Sequence, residues 1–165
     1  MLNKTEETMK ITVTTPEAYD SAEDTKKHIA EVVNYGKKLC EALISRLEKH
    51  DASKLESPEK DYFDKYTPML GKMEYGSDEY KKCLAELKPA LDHHYAKNSH
   101  HPEHYKGGVD EMDLIDLLEM WCDWNAAVKR NKNGDIRKSI ELNTDRFHLN
   151  EQLASIFKNT VDRFN

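Results

Sequence analysis

Histidine and carboxylate dominate the part of this sequence able to do chemistry. Five of the eight histidines (His93, His94, His100, His101 and His104) fall between Asp92 and His104, while His28 and His50 precede them and Asp51 directly follows His50. Imidazole nitrogen combined with carboxylate oxygen is a ligand set for Zn, Mn, Fe, Co or Ni, whereas Mg prefers oxygen alone. A solvated histidine-rich tract is the alternative. The spacing of a C₂H₂ finger is absent, as are H-E-x-x-H, a P-loop, G-x-S-x-G and a Rossmann fingerprint. Hydrolysis by metal-activated water is one chemistry open to such a set. A divalent ion lowers the pKa of bound water toward neutrality and polarises a phosphoryl oxygen.

Helices must position these groups. Ser21 with Asp24 three residues on marks a helix start, and Ile29, Val32, Val33, Leu39, Cys40, Leu43, Ile44 and Leu47 keep helical period to about Lys49. His28 enters on the edge of that stripe, one turn before Val32. His50 and Asp51 follow where this helix ends; in an extended chain they would point apart, but at a helix end both can reach one centre. Ser57 as N-cap with Pro58 at the first helical position starts a second helix carrying Tyr62, Phe63 and Tyr66 and ending before Pro68. Ser77 caps a third, kinked at Pro89, whose apolar stripe Leu84, Leu87, Leu91 runs into His94. His93 is rotated off that line by about 100°, so His94 is the inward member of the pair. No such phase argument separates His100 from His101 in the loop that follows.

A fourth helix is expected from Glu111 to about Asn131, with Leu114, Ile115, Leu117, Leu118, Trp121 and Cys122 as its core face. Asp116, Glu119 and Asp123 then form an acidic stripe on the other side, by default a solvated face. A fifth helix carries Ile136, Ile140 and Phe147. Asn150 caps a last one with Leu153, Ile156, Phe157, Val161 and Phe164, and His148 suits a capping role at the junction. The expectation is all-α: a single-domain bundle of about six helices over residues 21–165. Residues 1–20 form an arm or a short strand, through the β-prone patch Ile11 to Thr15, able to pair with a second copy as a homodimer.

The formal charge of −6 argues against a polynucleotide partner, which needs a clustered basic surface. A small anionic substrate stays compatible, because a bound dication reverses the local field. Cys40, Cys83 and Cys122, without a C-x-x-C, read as reduced core thiols. With no apolar leader and no run of membrane-spanning length, the expectation is a soluble, cytoplasmic chain with no membrane partner.

The order of a lone histidine, a His-Asp pair and a later helical aspartate resembles the HD superfamily of metal-dependent phosphohydrolases, an all-helical fold with ligands in the order H…HD…D. That resemblance implies His28, His50, Asp51 and Asp116 as metal ligands. Two-metal members add histidines between, which implies His94 and His101, as ligands of a second ion or as donors to phosphate. Lys54 is similar to the lysine of an H-D-x-G-K variant, with Ser53 in place of glycine. The motifs H-D-x-S-K, S-P-E, H-H-x-x-x-N-x-H-H and L-I-D-x-x-E-M-x-x-D-W also resemble a family of small phage and bacterial proteins, from about Thr25 to Phe147. Asp113 lies nearer the apolar face than Asp116 but sits at the helix start, where it caps. Glu119 and Asp123 recur one and two turns after Asp116 and, with Lys54, are the expected catalytic and substrate contacts; His93, His100 and His104 support the ligands or stand by. The implied activity is hydrolysis of a small phosphoester, most naturally a nucleotide, with one or two divalent transition-metal ions (Mn, Fe, Co, Ni or Zn). Tyr62, Tyr66, Tyr95, Tyr105 and Trp124 suit stacking on a base. Two alternatives compete: a di-iron oxygenase on the same scaffold, using His28, His50, Asp51, His94, His101 and Asp116, and a non-enzymatic metal-binding interaction protein.

Overall fold

The structure is a computed structural model and describes residues 20–74, 77–130 and 133–164. Apart from Asp20, the expected arm lies outside the described residues. Six α-helices and no strand are found among them: α1 (Ser21–Leu47), α2 (Glu59–Leu70), α3 (Asp78–Lys97), α4 (Leu114–Val128), α5 (Ile136–Phe147) and α6 (Glu151–Phe164). Short 3₁₀ turns cover Ala52–Leu55, Pro102–His104 and Gly108–Glu111. The all-α expectation holds. The chain divides into two compact units, residues 1–37 and 38–165, with the division inside α1. The described part of the first unit is helical, and Ile29, Val32 and Val33 on it are exposed. No described helix is long and apolar enough to cross a membrane.

Within the second unit, two apolar clusters form. Met120 and Trp124 of α4 pack with Ile140 of α5, Leu149, and Phe157 and Val161 of α6. Tyr66 of α2 packs with Cys83, Leu87 and Ala90 of α3. The buried line on α3 is therefore Cys83–Leu87–Ala90–His94, steps of four, three and four, which keeps one helical face inward. Leu84, expected on that line, is 36% exposed. Cys40 is also exposed, so only Cys83 of the three thiols is a core group.

Local chemistry sets most helix ends where the sequence placed them. The Ser77 hydroxyl accepts from the Tyr80 amide at 3.1 Å, Asn150 Oδ1 from the Leu153 amide at 2.8 Å, and Asp135 from the Arg137 amide at 2.8 Å. His148 closes α5 in the left-handed conformation, φ 53°, the capping role expected of it. Two ends differ. Pro58, not Ser57, is the N-cap of α2, because the Ser57 hydroxyl donates to Asp61 instead. α2 also runs through Pro68 to Leu70: so near the helix end, a missing N–H removes only one bond, and the Gly71 amide still closes on Thr67 at 3.2 Å.

Candidate metal centre

Asp51 stands at the N-cap of the 3₁₀ turn Ala52–Leu55, yet its side chain makes no capping bond. Its backbone is left-handed, φ 56°, a conformation that aspartate tolerates better than most residues. This turns the carboxylate toward the end of α3. There Oδ1 lies 3.2 Å from His94 Nε2 and 3.6 Å from His100 Nε2, and His94 Nε2 lies 2.8 Å from His101 Nε2. Asp51, His94, His100 and His101 thus offer four ligand atoms, all within 4.8 Å of one another.

Two buried glutamates aim these rings. Glu59, at the start of α2 and fully buried, accepts from His94 Nδ1 at 2.8 Å and from His93 Nδ1 at 2.7 Å. Glu119 of α4, 3% exposed, receives His50 Nδ1 at 3.0 Å and His100 Nδ1 at 3.2 Å on one oxygen. Burial pushes both carboxyls up, but the surrounding donors outweigh it and hold both below the usual range: His93, Ser53 and His94 for Glu59, and His100 and His50 for Glu119. An ionised carboxylate only accepts, so each Nδ1 must carry the hydrogen. In a neutral ring that leaves Nε2 of His94 and His100 as bare lone pairs facing the Asp51 oxygen.

Lone pair against carboxylate oxygen is repulsive unless a proton or a metal cation lies between. The Asp51 Oδ1 and His100 Nε2 atoms are buried and have no hydrogen-bond partner, which native interiors rarely leave uncompensated. Three imidazole nitrogens and one carboxylate oxygen suit a divalent transition metal. These residues could therefore hold a metal ion. Burial and the neighbouring His100 and His94 rings lower His101 to about 3, so that ring is a neutral donor at ordinary pH. Burial raises the Asp51 carboxyl, but the His94 ring and the Lys54 ammonium, 2.6 Å from Oδ2, overcome it and keep the acid ionised.

His50, with His100 and Glu119, makes the second ligand-distance group. Its Nε2 sits 3.5 Å from both Asp51 Oδ2 and Asp123 Oδ1, and bonds to Asp123 and Glu119 raise its pKa to about 10 in the metal-free chain. A scaffold surrounds the rings: Asn98 Nδ2 donates to Ser53 Oγ at 2.8 Å, and Ser53 Oγ to Glu59 at 3.0 Å.

Six expected site residues, His50, Asp51, His94, His101, Glu119 and Asp123, are brought together, and Lys54 is tied to Asp51. Two expected ligands are not in either group. His28 is exposed on α1, in the first unit. Asp116 is buried, but its carboxylate is already spent: it accepts from Arg46 at 3.0 Å, Ser99 at 2.6 Å, Tyr105 at 2.7 Å and the Asp113 amide at 3.2 Å. With Asp113 it forms a reciprocal capping box. The acidic stripe of α4 is also not a solvated face. Asp116 and Glu119 are buried while Leu114 is 55% exposed, because Arg46 and the histidines compensate the acids. Sequence reasoning missed His100 as a candidate ligand, Glu59 as the acceptor at His94 Nδ1, and Arg46 as the counter-ion. Only Glu59, in S-P-E, carried any signal.

The DUF5662 profile, described as a family of unknown function, matches residues 17–163. The chain belongs to this family. The match spans all of α1 to α6 short of Phe164, so both glutamate–histidine sets lie inside the DUF5662 region. No curated protein and no solved structure is detectably similar.

Proposed function

We propose that this chain is a metal-dependent phosphohydrolase, related to the HD superfamily, that cleaves a small phosphoester, a nucleotide being the substrate class that suits it best. One observation carries the reading: buried acceptor atoms of Asp51 and His100 converge without partners on a point also faced by His94 and His101. Four protein ligands would close a tetrahedral zinc and make it structural. A five- or six-coordinate ion (Mn, Fe, Co or Ni) keeps a position for water, so these metals fit catalysis better. When bound, such an ion supplies a nucleophilic hydroxide and polarises the phosphoryl oxygen.

The chain's own residues do the rest. Asp51, His94, His100 and His101 hold the centre, with Glu59 and Glu119 fixing the rings. His50, braced by Glu119 and Asp123, carries a proton at Nε2 for the leaving oxygen. Asp123, about a quarter exposed, stands at the opening. Lys54 keeps Asp51 oriented. Beside His101 and Asp123 lies a cavity of about 210 Å³ walled by Tyr95, Trp124 and Phe147, with Asn143 and Ser139 as polar contacts. Aromatic walls with an amide suit a planar base. Tyr62 and Tyr66, also expected to stack on a base, line a separate cavity with Lys65 and Glu86.

The test is a screen of Mn, Co, Ni, Fe and Mg against nucleoside mono- and triphosphates, cyclic dinucleotides and an aryl phosphate, with Asp51→Ala as blank. Turnover by wild type that is lost in the blank supports the reading. Two irons per chain with oxygen uptake and no phosphate release overturns it in favour of an oxygenase. Tight metal without any turnover overturns it in favour of a binding protein.

A further inference from the structure

A second cavity, of about 150 Å³, is lined by His100 and Glu119, and its other walls include Arg46, Lys49, Lys97 and Ser99. Three cations face one acid in this lining, on a chain whose net charge is −6. They are not equivalent. The Arg46 guanidinium is engaged through Nη2, at 3.0 Å to Asp116, 2.5 Å to Glu119 and 2.8 Å to Ser99. Lys54, the other lysine near the centre, is held by Asp51. Lys49 and Lys97 are exposed and have no hydrogen bond or ion pair to another described side chain. Two unpaired ammonium groups beside a candidate metal centre make a well for a small anion. The space is smaller than the one beside His101 and Asp123, so of the two it suits a phosphoryl group better than a nucleoside.

We propose that Lys49 and Lys97 form the phosphoryl subsite of this centre, gripping the non-bridging oxygens of the substrate while Ser99 and the Arg46 pair shape its floor. This rests on the phosphohydrolase reading and assigns the polarity of the substrate: phosphate on the His100 side, the organic group on the His101 side. Ammonium groups hold such a dianion as mobile point charges, so each contributes mainly by charge.

The probe is inorganic phosphate, titrated calorimetrically into manganese-loaded wild type and the Lys49→Ala/Lys97→Ala double variant, with bound metal measured by elemental analysis. Both lysines are exposed, so the variant should fold, and circular dichroism checks that it does. The expected result is phosphate binding weakened by about tenfold or more, at unchanged metal content. Equal phosphate affinity in the two proteins overturns the subsite and leaves the metal reading standing. If neither protein retains metal, the phosphohydrolase reading fails, and the metal-free titration decides the subsite separately: lysine-dependent phosphate binding upholds it, and its absence overturns it.

Discussion

Replacing Glu59 by Gln separates an orienting role from a merely structural one. Glu59 is fully buried and accepts from His93, His94 and Ser53 at 2.7, 2.8 and 3.0 Å. Glutamine has the same shape but offers one acceptor oxygen and one N–H₂. If the amide nitrogen faces His94, Nδ1 must become the acceptor, and the hydrogen moves to Nε2, pointing at Asp51. Metal must then displace that proton. Loss of such an orienting carboxylate typically costs about 10–100-fold in metal affinity. At a metal concentration 100 times the wild-type Kd, wild type gains about 2.7 kcal/mol of stability, whereas a variant bound 100-fold more weakly gains only about 0.4. The difference of about 2.3 kcal/mol corresponds to about 5–9 °C in Tm for a chain of this size. Thermal unfolding with and without manganese, for wild type, Glu59→Gln and the exposed control Glu56→Gln, reads this directly. A Glu59→Gln variant that melts lower without metal yet gains the full metal-induced shift would refute the reasoning. Glu59 would then be a buried acid that stabilises the fold and does not tune the centre.

Arg46→Met leaves Asp116 and Glu119 buried without their cation, and because Arg46 is itself 37% exposed the cost lies at the low end for a broken buried pair, about 3 kcal/mol. Both acids are held below their ordinary range, so the stability they lend is present above about pH 4 and is lost as pH falls; urea midpoints of wild type and variant should therefore converge in acid. Gly134→Ala places a Cβ on the Val128 carbonyl oxygen, a backbone clash that cannot be relieved by a rotamer change; about 1–3 kcal/mol of destabilisation should appear in chemical denaturation. His28→Ala, at an exposed position in neither ligand group, should leave metal stoichiometry and affinity unchanged by elemental analysis and calorimetry.

Much of the fold was legible because helix ends obey local rules. Ser77, Asp113 and Asn150 cap where their side chains predict, and the apolar period of α3 identified His94 over His93. The α4 stripe was not legible. Helical period alone read its three acids as solvated, and only the family resemblance put them at the centre, because nothing within α4 reveals Arg46, 70 residues from Asp116 in the chain, or the His50 and His100 rings that accompany it. His100 was missed for a related reason: it lies in an irregular loop, where no period assigns a face. Asp51 was legible as a candidate ligand, but not through its backbone, since a left-handed φ has no sequence signature beyond aspartate's tolerance of it.

The two apolar clusters of the second unit have separate interiors: α2 and α3 enclose one, and α4, α5 and α6 the other. The histidines and acids form a seam between them, with Glu59, His93 and His94 on one side and Glu119 and Asp123 on the other. A cation held there is mechanically a clasp. Its removal would free two well-packed bodies to part along a polar joint, while each keeps its own oily centre. Chelation should therefore speed amide hydrogen exchange first along the His50–Asp51 turn and the His100–His101 loop, and only later inside either cluster.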